Sequence, residues 1–159
     1  MISPLSAHIK ALRPHQWVKN AFVLMPLIFA AKLNNPSALT SALWAFIAFS
    51  FSASSIYLLN DTLDYERDQA HPKKRLRPIA SGQVKRPIAL LLSALCLGGA
   101  MSVAWGINTA TLGALAAYVV MNTGYSLGLK HLFLIDLFMI AIGFILRVSA
   151  GINSASYVV

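Results

Sequence analysis

Acidic residues are scarce in this chain. Five stand against 13 lysines and arginines among 159 residues, leaving a formal net charge of +8. Cysteine is scarcer still: Cys96 is alone in an apolar stretch, which excludes an intrachain disulfide or thiolate metal site and leaves a packing role. Charged residues of either sign make up only 11% of the chain while hydrophobic ones reach 57%, a balance that points to the bilayer as solvent. Over the 42 residues from Ile88 to Leu129 there is no Asp, Glu, Lys, Arg or His. The first twelve residues lack a continuous apolar core, which argues against a cleavable signal peptide. Nothing matches a nucleic-acid-binding motif, and a basic loop beside a bilayer accounts for the positive charge through orientation and anionic lipid.

The sequence predicts an all-α, polytopic membrane bundle of about five spans, with residues 1–159 as part of one integral-membrane domain. Gly106-Ile107-Asn108-Thr109 divides the uncharged stretch into two segments of about 20 residues, each long enough to cross hydrocarbon. Leu39 to Leu59 forms another span. Trp17 to Ala31, short and interrupted by Pro26, is a kinked span or a re-entrant segment. Leu132 to Ile152 is long enough but contains Asp136 and Arg147, which lie 11 residues apart and so about 16 Å along one helix, too far to pair. With five spans, 11 basic residues share the side of the N-terminus and the loop after Asp68, against Lys32 alone on the other. That bias places the N-terminus and the acidic cluster in the cytoplasm, with a bacterial plasma membrane as the expected setting.

Four of the five acidic residues fall in the run Asn60-Asp61-Thr62-Leu63-Asp64-Tyr65-Glu66-Arg67-Asp68. On a continuous helix Asp61, Asp64 and Asp68 face one way, with Asn60 beside Asp64. Aligned carboxylates repel one another unless a cation sits among them, and hard oxygen ligands suit Mg²⁺. The same face runs back through Ser50, Ser54 and Tyr57, a polar stripe expected to line a cavity between helices. A solvated helix end paired with nearby lysines and arginines is the plainer alternative. His71-Pro72 should end the helix. In the basic loop that follows, the forks of Arg75 and Arg77 are suited to phosphate oxygens, while Lys73, Lys74, Lys85 and Arg86 read first as orientation signals. Asn122, Tyr125 and Lys130 surround the end of the fourth span, as a lid over phosphate or as interfacial anchors. Arg147 finds a partner on another helix or reaches the cavity.

The run Asn60-Asp61-x-x-Asp64-x-x-x-Asp68 resembles the first aspartate-rich motif of the UbiA-type superfamily of membrane transferases at all four positions. Arg13 to Asn20, His71 to Gly82, Tyr125-Ser126 with Lys130, and Asp136 with Arg147 and Gly151 extend the likeness, which favours the branch containing decaprenyl-phosphate phosphoribosyltransferase. The resemblance implies Mg²⁺ held by Asp61, Asp64 and Asp68, with Asn60 orienting them or the donor. It also implies phosphate or substrate binding by Lys19, Lys74, Arg75, Arg77, Tyr125, Lys130 and Arg147. The expected substrates are a diphosphate donor and a polyprenyl lipid. Phosphoribosyl transfer from 5-phosphoribosyl diphosphate to a polyprenyl phosphate is the first reading; prenyl transfer to an aromatic acceptor, and an inactive fragment or non-catalytic membrane subunit, are the others. The family builds its site from two halves, and the second aspartate-rich motif has no counterpart after Asp68, so the chain reads as an N-terminal half and leaves room for a second polypeptide.

Overall fold

The computed structural model describes residues 4–128 and 135–156. Among them the helices are α1 (Pro4–Leu12), α2 (Met25–Phe29), α3 (Pro36–Leu63), α4 (Tyr65–Ala70), α5 (Arg86–Ile107), α6 (Thr109–Leu127) and α7 (Ile135–Ser156), with no strand. A 3-10 segment, Pro14–Val23, joins α1 to α2, and a short 3-10 turn covers Lys74–Leu76. The all-α bundle expected from composition is what forms.

Helix α3 is the axis. Its 28 residues rise about 42 Å, enough to cross a bilayer and project beyond it. Asn35 starts it by accepting from the backbone N–H groups of Ser37 and Ala38 at 3.2 and 3.1 Å, with Pro36 in the first turn where no intrahelical N–H is needed. Small residues let neighbours approach closely. Ala38, Ala42, Ala45, Ala48 and Ala53 are buried on α3, and Ala89, Ser93, Ala100 and Ala104 on α5. Between them the Ser55 and Ser93 hydroxyls meet at 2.9 Å, and Ser93 also donates to the Ser55 carbonyl. Helices α6 and α7 and the 3-10 segment complete the packing around α3, with Phe49, Leu115 and Tyr118 in the shared core.

Among the described residues three helices are long and apolar enough to cross a membrane: Pro36–Leu63, Arg86–Ile107 and the Leu137–Ala155 part of α7. Helix α6 has 19 residues, but its threonines, Asn122 and tyrosines lower its hydropathy. The break expected at 106–109 is one residue wide: Asn108 ends α5 and starts α6, accepting from the Thr111 N–H at 2.7 Å. The N-terminal apolar stretch is not one kinked span helix. It is a ten-residue 3-10 segment followed by the five-residue α2. Pro26 lies in the first turn of α2, where its missing N–H does no harm. Helix α7 packs on this irregular stretch so closely that a Cβ at Gly151 would run into the Val23 carbonyl and meet Pro26 Cγ at 3.0 Å.

Candidate functional site

The acidic run does not form one uninterrupted helix. Helix α3 ends at Leu63, Asp64 sits at the junction with φ −88° and ψ 10°, and α4 follows. Hydrogen bonds still thread the junction, from Asp64 N–H to the Asn60 carbonyl at 2.9 Å and from Asp68 N–H to the Asp64 carbonyl at 2.8 Å. The single row of three carboxylates is therefore corrected to a pair plus one. Asp61 and Asp68 are buried, 3% and 1% exposed, whereas Asp64 is half-buried and lies 3.6 Å from the exposed Arg67. A solvent-screened pair like the last contributes little.

What joins Asp61 to Asp68 is the basic loop folded back beneath them. His71 is extended, as expected before Pro72, and its Nδ1 accepts from the backbone N–H groups of Lys73 and Lys74 at 3.2 and 3.3 Å. Ile79 and Val84 then bury against Ala7, Ala11, Leu58 and Ala89. Gly82 allows the return with φ 79°. This anchoring delivers Arg77, whose Nη1 donates to Asp68 Oδ2 at 2.6 Å and Asp61 Oδ1 at 3.0 Å. Arg13 also engages Asp61, its Nη2 donating to Oδ1 and Oδ2 at 2.8 and 2.7 Å. Charge pairing of this quality is what allows two carboxylates to be buried at all.

One oxygen is left over. Asp68 Oδ1 is buried without a hydrogen-bond partner, a position that invites a cation. Among the described residues no three His, Cys, Asp or Glu side chains converge as a metal cage. The donor chemistry still fits Mg²⁺, which keeps several waters and commonly combines one or two carboxylates with substrate phosphates. Asp61 and Asp68 would hold it, with Asp64 and Asn60 nearby in sequence.

Arg13 is the residue that sequence reasoning undervalued, counting it for orientation and family likeness but not for the site. Its backbone is left-handed, φ 52° and ψ 55°, immediately before Pro14. A residue preceding proline favours extended geometry, so this conformation stores strain of roughly 1–3 kcal/mol. The guanidinium also covers the Tyr57 ring at 4.9 Å. With Lys10, His15, Asp61, Lys73, Leu76, Arg77 and Pro78 it lines a basic cavity of about 290 Å³. The only sequence signal was the charge itself, since contacts 48 residues apart leave no local pattern.

A second cavity, about 470 Å³, opens on the other side of the Arg13–Tyr57 stack. Lys19, Tyr57, Asn122, Tyr125 and Arg147 supply its polar groups, and Met139, Ile140 and Phe144 its apolar wall. Arg147 is braced from three directions: Nε donates to Asn20 Oδ1 at 2.9 Å, Nη1 to the Gly143 carbonyl at 2.9 Å and Nη2 to the Tyr118 hydroxyl at 3.0 Å. Among the described residues these bonds use three of its five N–H groups. Among the described residues neither Arg147 nor Lys19 has a carboxylate partner.

Of the sequence-predicted residues, Lys19, Tyr125 and Arg147 thus meet in the larger cavity, and Asp61 and Arg77 in the smaller, with Asp68 behind Arg77. Lys74 and Arg75 are exposed in the 3-10 turn and line neither. Lys130 and the Asp136 side chain lie outside the described residues. The polar stripe does not line an open cavity along its length. Its deeper hydroxyls seat the N-terminal segment: Asn20 Nδ2 donates to Ser50 at 3.2 Å, Trp17 Nε1 to Ser54 at 2.9 Å, and Ser54 to the Leu12 carbonyl at 2.7 Å. The 3-10 segment brings its own polar groups to α3, which satisfies the stripe without solvent.

The profile of the UbiA prenyltransferase family matches residues 21–157. The chain is 36% identical over 151 residues to decaprenyl-phosphate phosphoribosyltransferase of Mycolicibacterium smegmatis, covering 92% of this chain and 48% of that protein. To the protein of the same name from Corynebacterium glutamicum it is 41% identical over 149 residues, covering 90% and 44%. Nodulation protein NoeC of Azorhizobium caulinodans is 31% identical over 156 residues, covering 96% and 50%. A solved structure of digeranylgeranylglyceryl phosphate synthase superimposes with a TM-score of 0.74 at 20% identity, over 95% of this chain and 52% of that one, a likeness of fold. The chain spans about half the length of the curated relatives it matches.

Proposed function

The chain belongs to the UbiA prenyltransferase family, and on that footing we propose that it forms the N-terminal half of a Mg²⁺-dependent integral-membrane transferase that moves phosphoribose from 5-phosphoribosyl diphosphate to a polyprenyl phosphate. The observation that carries this reading is the larger cavity. Lys19 and a braced Arg147, neither with a carboxylate partner among the described residues, stand beside an apolar wall of Met139, Ile140 and Phe144. A guanidinium without a carboxylate partner in a membrane protein seeks an anion, and an apolar wall beside it suits a lipid tail. A polyprenyl phosphate combines the two.

The basic cavity beyond Tyr57 suits the soluble, polyanionic donor, with Lys10, Lys73, Arg13 and Arg77 around it. Asp61 and Asp68 would hold Mg²⁺, with Asp64 adding negative charge beside them, and the ion when bound neutralises charge on the departing diphosphate. Arg77, positioned at the carboxylates, donates to phosphate oxygens as negative charge accumulates there. The Arg13–Tyr57 stack stands between acceptor and donor cavities, so the two substrates would meet at its edge. The names of the relatives from Mycolicibacterium smegmatis and Corynebacterium glutamicum support phosphoribosyl transfer to a polyprenyl phosphate.

The test is acceptor binding in nanodiscs. Polyprenyl phosphate should bind, and Arg147→Gln or Lys19→Gln should weaken it by about tenfold, the scale of one charge-assisted contact. Tight binding of a neutral-headed or aromatic acceptor together with no affinity for polyprenyl phosphate would overturn the assignment in favour of prenyl transfer.

A further inference from the structure

We propose that Arg13 is an exchangeable counter-ion of Asp61: it occupies the carboxylate until a cation arrives together with a diphosphate, then passes to the phosphate, so that the site admits the metal–diphosphate complex and resists the bare metal. The inference rests on the metal-site reading above and concerns the order in which that site fills.

The geometry points to competition. Arg13 Nη2 engages both oxygens of Asp61, at 2.8 and 2.7 Å, and Arg77 Nη1 takes Asp61 Oδ1 and Asp68 Oδ2. Of the four carboxylate oxygens on these two residues, only Asp68 Oδ1 has no partner. A bare divalent ion approaching Asp61 would have to displace a guanidinium and then remain beside two of them, with Lys10 and Lys73 lining the same cavity. A diphosphate changes the balance because it supplies acceptors for the displaced N–H groups and reverses the local charge. The cost of moving Arg13 off Asp61 is then met by the ligand.

The backbone gives Arg13 somewhere to go. It holds the left-handed conformation at φ 52° and ψ 55° directly before Pro14, where extended geometry is preferred. Such a residue persists only while its surroundings hold it; beside backbone bonds from Arg13 N–H to the Lys10 carbonyl and from Gln16 N–H to the Arg13 carbonyl, the side-chain contacts that do so are the Asp61 carboxylate and the Tyr57 ring. Releasing Asp61 removes the larger of them. Arg13 also joins α1 to the 3-10 segment, and Lys10 on α1 lines the same cavity, so the exchange can carry α1 with it.

Mn²⁺ binding, read by electron paramagnetic resonance on the chain in nanodiscs, tests this directly with inorganic diphosphate as the second probe. In the wild type, diphosphate should tighten Mn²⁺ by at least about tenfold, and Mn²⁺ should tighten diphosphate by the same factor, as linkage requires. Arg13→Gln should bind Mn²⁺ alone more tightly than wild type and show a smaller diphosphate effect. A damaged fold would weaken both affinities, so a gain for the metal alone separates exchange from a structural role. Arg13→Lys, which keeps the charge and loses the fork, should fall between. Equal Mn²⁺ affinity with and without diphosphate in the wild type overturns the proposal whatever the variants do. Mn²⁺ binding that is diphosphate-dependent but identical in wild type and Arg13→Gln removes Arg13 from it and leaves the metal site standing, whereas no Mn²⁺ binding under any condition removes the metal site itself.

Discussion

Arg147 and Asn20, 127 positions apart in the chain, are joined by a 2.9 Å hydrogen bond from the guanidinium Nε to the amide Oδ1. Asn20 is 1% exposed and passes the connection on to Ser50 through Nδ2. The last helix, the 3-10 segment and α3 are thereby tied at one amide, and the cation facing the larger cavity is held in a fixed orientation. Asn20→Leu keeps approximate volume but leaves Arg147 Nε and Ser50 without this partner. We expect a loss of about 1.5–3 kcal/mol, the range for a hydrogen bond to a charged group, seen as a lower thermal midpoint, together with weaker polyprenyl phosphate binding. Ser50→Ala should lower the midpoint less and spare the lipid. Equal stability and lipid affinity in all three proteins would show that Asn20 does not position Arg147.

Gly151 brings α7 directly against Val23 and Pro26 of the N-terminal segment. Gly151→Ala should force the Val23 carbonyl and Pro26 away at a cost of about 1–3 kcal/mol, the usual range for overpacking. Gly98, also helical, has nothing within 4 Å of the place a methyl group would take, so Gly98→Ala is the matched control and should be neutral or slightly stabilising. Thermal unfolding of both variants in nanodiscs decides it, and similar midpoints would contradict the close packing.

Topology is open to a cysteine experiment because Cys96 is the only thiol. In a Cys96→Ala background, Gln83→Cys reports on the loop after α4. Asn34→Cys reports on the turn before α3 and leaves the capping residue Asn35 in place. The charge bias predicts that an impermeant thiol reagent added to intact cells labels position 34 and spares position 83. The reverse pattern would invert the orientation.

Much of this was legible in the sequence where a local pattern carries the information. The uncharged stretch gave α5 and α6, Gly106 to Thr109 marked the break between them, His71-Pro72 marked the end of α4, and Asn60 to Asp68 drew attention to the candidate site. What escaped notice was contact between distant segments. The role of Arg13 depends on a left-handed residue placing it against a carboxylate 48 positions away, and no periodicity records that. The same holds for the polar stripe. Ser50 and Ser54 read as cavity-lining because their spacing is helical, but only the path of the chain shows that Asn20, Trp17 and Leu12 already satisfy them. The first apolar stretch was ambiguous for a physical reason, since a 3-10 segment has no helical period of 3.6 for apolar residues to follow.

Because these 159 residues cover about half of their relatives, the chain alone should bind a diphosphate without turning over substrate. A departing diphosphate requires neutralisation on more than one side, and one carboxylate cluster holds about one metal with several waters. Product analysis with Mg²⁺, both candidate donors and their acceptors checks this, and robust turnover by the isolated chain would contradict it.

Asp61 and Asp68, with Asp64 at the helix junction beside them, are proposed as a divalent-metal site for a phosphoribosyl diphosphate. Equilibrium binding of 5-phosphoribosyl diphosphate to the chain in nanodiscs, with Mg²⁺ and with chelator, measures it most directly. Mg²⁺-dependent binding is expected in the wild type, weakened by at least about tenfold in Asp64→Asn and in Asp61→Asn, as follows from removing a charged contact. Binding that is indifferent to Mg²⁺, or unchanged in both variants, would contradict it.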